Sequence, residues 1–315
     1  MIKKTIFCLI LFKQIGFSLA SIINIEVTSP TCKYVSKSFQ RPSDTSDEAG
    51  TLRLNEINSL CEALEDFIPD DSLNLFLGRS VGWVAAAESF RLESDYSDHK
   101  GTWTTVHFSG GSALKDFEDE GFYTPEQLNS YKDYLRSIGV TPENILGAKE
   151  GLYLIDFILM GRTMHHFSKI LVDWCHEESP NALPPKISFI DISFTTNYRS
   201  NFEHETVLSP PPTQFLLSNE TMNPLIHAEG KDDIGKDNSL VCSFKPEQWM
   251  TWKSTLENYQ PTPKALEMHE DLKDYLRLAK QSDSEALTKK GEEAPLESKY
   301  SLGMFIPQKL KSYFF

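Results

Sequence analysis

Short apolar runs alternate with segments of helical periodicity along most of the chain. The apolar runs predict β-strands at residues 73–77, 104–108, 151–160, 186–194 and 214–217. Between these runs, apolar residues recur at helical spacing and predict helices at residues 54–67, 81–90, 125–138 and 163–175. Because strands that alternate with helices form parallel sheets, we expect an α/β fold with a mostly parallel sheet and helices on both faces.

Two segments carry the clearest structural signals. Thr124 can cap a helix, Pro125 suits the first helical position, and Gln127 can complete a capping box. The strand 151–160 is apolar on both faces apart from Asp156, which is typical of a strand inside a parallel sheet. Helical periodicity returns at residues 246–280, so the sequence also predicts a helical C-terminal extension.

The N-terminal segment, residues 1–20, has the pattern of a secretory signal peptide. Lys3 and Lys4 precede a short apolar run, and small residues stand close to Ala20. We expect export, to the periplasm or the medium, after cleavage near Ala20. A hydrophobic first strand of a cytosolic domain is the alternative. The predicted organisation is a signal peptide at 1–20, an N-terminal extension at 21–50, the α/β domain at 51–245, C-terminal helices at 246–280 and a polar tail at 281–315.

The charge of the chain argues against two classes of partner. The full sequence has 31 Lys and Arg against 45 Asp and Glu, a net charge of −14. Residues 1–20 hold three lysines and no acid, so the remaining chain has 28 basic and 45 acidic residues, a net charge of −17. Nucleic acids and anionic membranes attract basic surfaces, and we expect neither as a partner. No later segment is apolar and long enough to predict a stable membrane span.

Four cysteines remain after the predicted cleavage: Cys32, Cys61, Cys175 and Cys242. An even number in an exported chain permits two disulfides, and four buried thiols are the alternative. No two of them are spaced as in zinc or redox motifs, so the sequence predicts no protein-bound metal site. Cys175 and His176 are adjacent, whereas thiol hydrolases assemble this pair from distant sequence positions.

The first candidate for binding chemistry is the turn Gly78-Arg79-Ser80, which follows a predicted strand and precedes a helix. Glycine allows a close approach of the backbone to a ligand, and arginine offers donors suited to phosphate oxygens. Ser80 adds a hydroxyl near the start of a helix, where N–H groups attract anions. An ordinary turn with a surface arginine is the alternative.

The second candidate is Asp156 followed by the turn Gly161-Arg162-Thr163. An acid at the end of a buried strand is costly unless it meets a ligand, a metal or a partner. The turn after it can present backbone N–H groups and a hydroxyl to a phosphate. Asp156 could instead cap a helix or pair with Arg162.

These two segments together resemble type I phosphoribosyltransferases. GLYLIDFILMGRTM resembles the family's phosphoribosyl-diphosphate loop, and LFLGRS resembles its pyrophosphate-binding turn. The resemblance covers residues 70–195 approximately. It implies that Asp156 lies by the ribose hydroxyls, that the turn 160–164 holds the 5′-phosphate and that residues 78–80 contact pyrophosphate. It also implies Mg²⁺ as a cofactor and a small phosphorylated molecule as a ligand.

One departure from the family pattern opens a second hypothesis. The family has two adjacent acids after the strand, and here Phe157 occupies the second position. This departure indicates a divergent member with a changed substrate or a lost activity. The alternative function is therefore a secreted, non-catalytic interaction or effector protein on the same scaffold, with a protein partner. A secreted hydrolase is a third hypothesis, without a recognisable nucleophile.

Overall fold

The computed structural model describes residues 21–25, 34–41, 44, 46, 48–94, 98–109, 123–158, 161–194, 208, 210–226, 238–242, 244–289 and 301–304. In this part of the chain the strands are β1 (Ser21–Asn24), β2 (Leu73–Leu77), β3 (Thr102–Val106), β4 (Leu152–Asp156), β5 (Ile187–Phe194), β6 (Thr213–Leu217) and β7 (Ser301–Met304). The helices are α1 (Ala49–Phe67), α2 (Gly82–Glu93), α3 (Pro125–Ser137), α4 (Pro142–Gly147), α5 (Arg162–Glu178), α6 (Asn219–Ile226), α7 (Pro246–Trp249), α8 (Trp252–Glu257) and α9 (Pro263–Lys289).

The predicted α/β fold is confirmed. One sheet has the strand order β3-β2-β4-β5-β6-β1-β7. All neighbours from β3 to β1 run parallel, and β7 alone among the described strands runs antiparallel, against β1. The capping box at Thr124 and Gln127 also forms as predicted, with the Gln127 N–H donating to Thr124 Oγ1 at 3.2 Å.

Helices cover both faces of this sheet. On one face, here called the α2 face, α1, α2 and α9 pack against strand residues such as Phe76 and Ile155. On the other, the α5 face, α3, α5 and α7 pack against residues such as Leu75 and Leu154. Successive strand side chains point to opposite faces, and apolar residues at both parities explain why β2 and β4 are buried throughout.

Two segments predicted to lie outside the α/β domain, the N-terminal extension and the polar tail, each contribute a strand to the sheet. β1 begins at Ser21, directly after the predicted cleavage position, and residues 1–20 lie outside the described residues. Helix α9 continues to Lys289, and Ser301–Met304 pairs with β1 where a polar tail was predicted. Such short strands carry too little periodicity to be recognised in sequence.

The N-terminal extension is also fixed by polar contacts. Arg53 in α1 is 2% exposed and donates to Asp44 Oδ2 at 2.7 Å and to the Phe39 carbonyl at 2.6 Å. The arginine holds the pKa of Asp44 at about 2, since the hydrogen bond and the positive charge favour the carboxylate. The extension therefore packs against the domain rather than lying apart from it.

The described cysteines are reduced. Cys61, Cys175 and Cys242 are buried free thiols, and Cys32 lies outside the described residues. The two-disulfide alternative is therefore wrong. No helix in the described part of the chain is both long and apolar enough to cross a membrane.

Candidate functional site

The two predicted turns leave the sheet at the same edge. β2 and β4 are parallel neighbours, with Phe76 opposite Ile155, so their carboxyl ends lie side by side. From β2 the chain moves outward to β3, whereas β4 leads to β5 and β6 in the other direction. This is a topological switch point, and ligands of open α/β sheets bind in the crevice outside it.

Beyond this edge the two turns separate. After β2 the chain leads into α2, which packs on the α2 face, and after β4 it leads into α5, which packs on the opposite face. Residues 78–80 and 161–163 therefore flank the crevice from its two sides. The strand register brings the two turns to one edge, and the helices then carry them to different faces.

Both turn glycines have a left-handed backbone. Gly78 has φ +70° and Gly161 has φ +78°. The Gly78 N–H donates to the Val106 carbonyl at 2.8 Å, and a Cβ at Gly78 would stand 2.7 Å from the Phe108 carbonyl oxygen. Close packing against the end of β3 thus requires glycine at position 78, with or without a ligand.

The other residues of the first turn are more accessible. Arg79 is exposed and Ser80 is half-buried. The start of α2 is covered by the chain itself, because a Cβ at Gly82 would stand 3.0 Å from Val241 Cγ2. An anion at this turn would therefore meet Arg79 and Ser80 rather than the first N–H groups of α2.

The second turn leads directly into α5. Gly161 is the N-cap residue, and Arg162 and Thr163 are the first residues of the helix, both half-buried. N–H groups in the first turn of a helix have no partner within it and favour anions. Among the sequence candidates, these positions offer the more direct anion site.

A residue that the sequence analysis missed stands beside Asp156. Asp191 in β5 is the register partner of Asp156, and both side chains are buried, at 0% and 7% exposure. By strand alternation both project toward the α5 face. Both acids interrupt apolar strand runs, LYLID and ISFID, and this shared pattern could have identified the pair.

Backbone donors of the turn after β4 serve these two acids. The Phe157 N–H donates to Asp156 Oδ1 at 2.8 Å, and the Ile158 N–H donates to Asp191 Oδ1 at 2.9 Å. Gln214 Nε2 donates to Asp191 Oδ2 at 3.0 Å. The pair thus fixes the start of the turn, and these two N–H groups are engaged within the protein.

Asp156 holds its proton strongly. Burial raises the pKa of Asp156 well above its ordinary value, the Phe157 N–H opposes this, and the negative charge of Asp191 raises it further. Two carboxyl groups at adjacent strand positions resist double ionisation unless a cation or a proton lies with them. The arrangement therefore favours a proton on Asp156 or a cation beside the pair.

Comparison of this chain with protein-family models, with curated proteins and with solved structures finds no match. The resemblance to phosphoribosyltransferases thus has no support from a relative.

A separate cleft lies at the opposite edge of the sheet. It has a volume of ≈ 460 Å³ and is lined at the starts of β2 and β3, by Asp71, Leu73, Thr102 and Lys149 among others. Lys149 Nζ lies 3.0 Å from Asp71 Oδ2, so these charges satisfy each other at the surface. We place the candidate site at the carboxyl edge instead, because the turns 78–80 and 161–163 and the buried acids all lie at that edge.

The described residues contain no site in which protein side chains alone would coordinate a metal ion. No group of three or more His, Cys, Asp or Glu side chains in this part of the chain is arranged to hold a metal ion. Mg²⁺ does not need three or more protein ligands, because it is usually held by one or two carboxylates together with water and phosphate oxygens. A pair of acids is therefore compatible with a magnesium site that the ligand completes.

Proposed function

We propose that the carboxyl edge of the sheet binds a phosphorylated ribose compound in the crevice between β2 and β4. The observation that carries this proposal is the parallel pairing of β2 with β4. Because of it, the turns 78–80 and 161–163 flank one switch point, where α/β sheets bind their ligands. Asp156 and Asp191 stand at the same edge.

Asp191 is proposed to replace the second acid that the family pattern has and this chain lacks. Where phosphoribosyltransferases have two acids in sequence, this chain has Asp156 followed by Phe157. A second carboxyl group comes instead from the neighbouring strand, at the register position of Asp156. In the proposed complex this pair faces the ribose hydroxyls, Arg162 and Thr163 lie by the 5′-phosphate, and Arg79 and Ser80 lie by pyrophosphate.

Mg²⁺ is the cofactor that the resemblance implies, and the two acids fit it. Asp156 Oδ1 accepts one backbone hydrogen bond, from the Phe157 N–H. Asp156 and Asp191 would hold the ion, which supplies positive charge against the phosphate oxygens. Binding of the ion would displace the proton from Asp156, so the proposed complex forms more readily as pH rises.

If transfer occurs, the reaction is substitution at the anomeric carbon of ribose with pyrophosphate as the leaving group. The residues of this chain would then position the two phosphate groups and offset their charge. Arg79, at the exposed side of the first turn, would stabilise negative charge on the departing pyrophosphate. The acceptor is not specified by any of these residues.

Isothermal titration with phosphoribosyl diphosphate and Mg²⁺ tests the proposal. We expect binding by the wild-type chain and at least about tenfold weaker binding by Arg79→Ala and Asp156→Asn, since each removes a charge-assisted contact. Arg277→Ala removes an exposed arginine in α9 and is the matched control. Absence of binding at millimolar ligand by the folded wild-type protein would overturn the proposal.

A second function, that of an exported interaction protein, is favoured by a different observation. The N–H groups of Phe157 and Ile158 serve the chain's own acids, and Val241 covers the start of α2. On this hypothesis the turns stabilise the scaffold and a protein partner binds elsewhere. A biological effect of the exported protein that survives both Arg79→Ala and Asp156→Asn would favour it, and loss of the effect in both variants would exclude it.

A further inference from the structure

A thiol and an imidazole meet at the carboxyl end of β3. Cys242 Sγ lies 3.3 Å from His107 Nδ1, although 135 positions separate the two residues in sequence. His107 directly follows β3, and β3 pairs with β2, so the contact lies one strand away from the turn at Gly78. It involves neither of the acids at the end of β4 and β5, and it does not depend on ribose binding.

Helix α3 holds the backbone of His107 from two sides. The His107 N–H donates to Tyr134 Oη at 2.9 Å, and Tyr131 Oη donates to the His107 carbonyl at 3.0 Å. The rings of Tyr134 and Phe244 stand edge-on to the imidazole, with centroids 6.1 Å and 6.3 Å away. The imidazole therefore has a defined position, as a general base requires.

A separate set of bonds positions the segment that carries Cys242. The Phe244 N–H donates to Ser109 Oγ at 2.7 Å, and the Ser109 N–H donates to the Phe244 carbonyl at 3.0 Å. On the other side of Cys242, the Val241 N–H donates to Ser239 Oγ at 3.2 Å. The Phe244–Ser109 pair thus joins this segment to the end of β3, and the Val241–Ser239 bond fixes its local turn.

Burial determines the protonation of both partners. It raises the pKa of Cys242 to about 11. It also lowers the pKa of His107, against a hydrogen bond to the backbone of Cys242. At neutral pH the thiol therefore keeps its proton while the imidazole is uncharged. A thiol in this state becomes nucleophilic only if a neighbouring base takes the proton as the new bond forms.

We propose that Cys242 and His107 form a nucleophilic site for an activated acyl group, such as that of a thioester. Sγ forms a bond to the acyl carbon, and the bond from this carbon to the leaving thiolate breaks. The proton of Cys242 passes to His107 Nδ1 and then to the leaving thiolate. One thioester is consumed, one is formed on Cys242, and one thiol is released.

The chain contains its own control thiol for a test. Cys175 in α5 is 2% exposed and Cys242 is 5% exposed. Burial raises the pKa of both to about 11. The two differ in that Cys242 Sγ contacts an imidazole nitrogen, His107 Nδ1. With phenyl thioacetate as the acyl donor and peptide mass spectrometry as the readout, we expect acetylation of Cys242 to be roughly 10²-fold faster than that of Cys175, the usual contribution of a general base.

His107→Asn should lower the rate at Cys242 to that at Cys175 and leave Cys175 unchanged. If the substitution disturbs the fold, the rate at Cys175 rises too, and the pH dependence of the wild-type protein then decides. Base catalysis makes the Cys242 rate level off above an inflection below the ordinary pKa of histidine. Uncatalysed attack at Cys175 rises about tenfold per pH unit toward the thiol pKa. Equal wild-type rates, or parallel pH profiles, would overturn the proposal.

Discussion

Asp156 and Asp191 occupy the same register position on adjacent parallel strands, and both carboxyl groups are buried. Each accepts one N–H of the turn that follows β4. The pair therefore links the ends of two strands to the connection that leads into α5. The same proximity raises the free energy of ionising both groups, because two negative charges repel each other. A bound proton or cation reduces this repulsion.

Replacing Asp156 by Asn should remove part of this repulsion. The folded-state pKa of Asp156 is raised above its unfolded value, so the folded protein binds the proton more tightly. Stability is then greatest at low pH and is lost as pH rises from the unfolded pKa through the folded one, by up to about 1.4 kcal/mol per pH unit. We expect Asp156→Asn to gain stability over the wild type as pH increases, measured by urea unfolding from pH 4 to pH 8.

Asp173→Asn is the control for this measurement. Asp173 is 56% exposed in α5 and forms a surface ion pair with Lys169 at 3.2 Å. Exposed pairs of this kind contribute about 0–1 kcal/mol, so the difference from the wild type should stay small across the pH range. Parallel wild-type and Asp156→Asn curves would contradict the raised pKa.

A second buried acid, Glu88 in α2, should produce a similar pH dependence away from the candidate site. Burial, and then the charge of Glu65, raise the pKa of Glu88 to about 8, while Arg91 opposes the shift. Arg91 Nε donates to Glu65 at 2.8 Å, and Glu88 is 0% exposed between Cys61 and Glu65. Glu88→Gln should therefore be more stable than the wild type near pH 8 and about equal to it below pH 5.

Glu93→Gln, at the exposed end of the same helix, provides the comparison for Glu88→Gln. As a substitution at an exposed surface position, it should change the free energy of unfolding by less than about 0.5 kcal/mol. Thermal unfolding in buffers from pH 5 to pH 8 is sufficient for both variants. If Glu88→Gln loses stability at pH 8, a charged Glu88 has a stabilising partner, and the raised pKa is wrong.

Gly78 and Gly147 should respond in opposite directions to alanine. At Gly78 the positive φ and the Phe108 carbonyl, 2.7 Å from a new Cβ, predict a loss of about 1–3 kcal/mol or more. Gly147 lies in α4 with no atom within 4 Å of such a Cβ, and alanine there should be neutral or stabilising by about 0.5–1 kcal/mol. Chemical denaturation of the two variants checks both values. Equal stabilities would contradict the packing of Gly78 against β3.

The sequence predicted the fold well, because each long element carries its own local pattern. The apolar run 151–160 predicts β4, and Asp156 is the acid that interrupts it. Asp191 was missed because it becomes a candidate only through its pairing with Asp156 in the neighbouring strand. The sequence of a single strand does not reveal which residue it will pair with. The contact of His107 with Cys242 was missed for the same reason, since only the folded chain brings such distant residues together.

The position of β1 has a consequence for the order in which the protein can assemble. β1 lies between β6 and β7, and both of these strands come later in the chain. A ribosome therefore releases the first strand long before any of its hydrogen-bonding neighbours has been made. The entropic cost of closing such a loop grows only with the logarithm of its length, but pairing between such distant segments is slow. Pairing of β1 with β6 and β7 is thus a late step of folding, and until then the backbone groups of Ser21–Asn24 lack these partners.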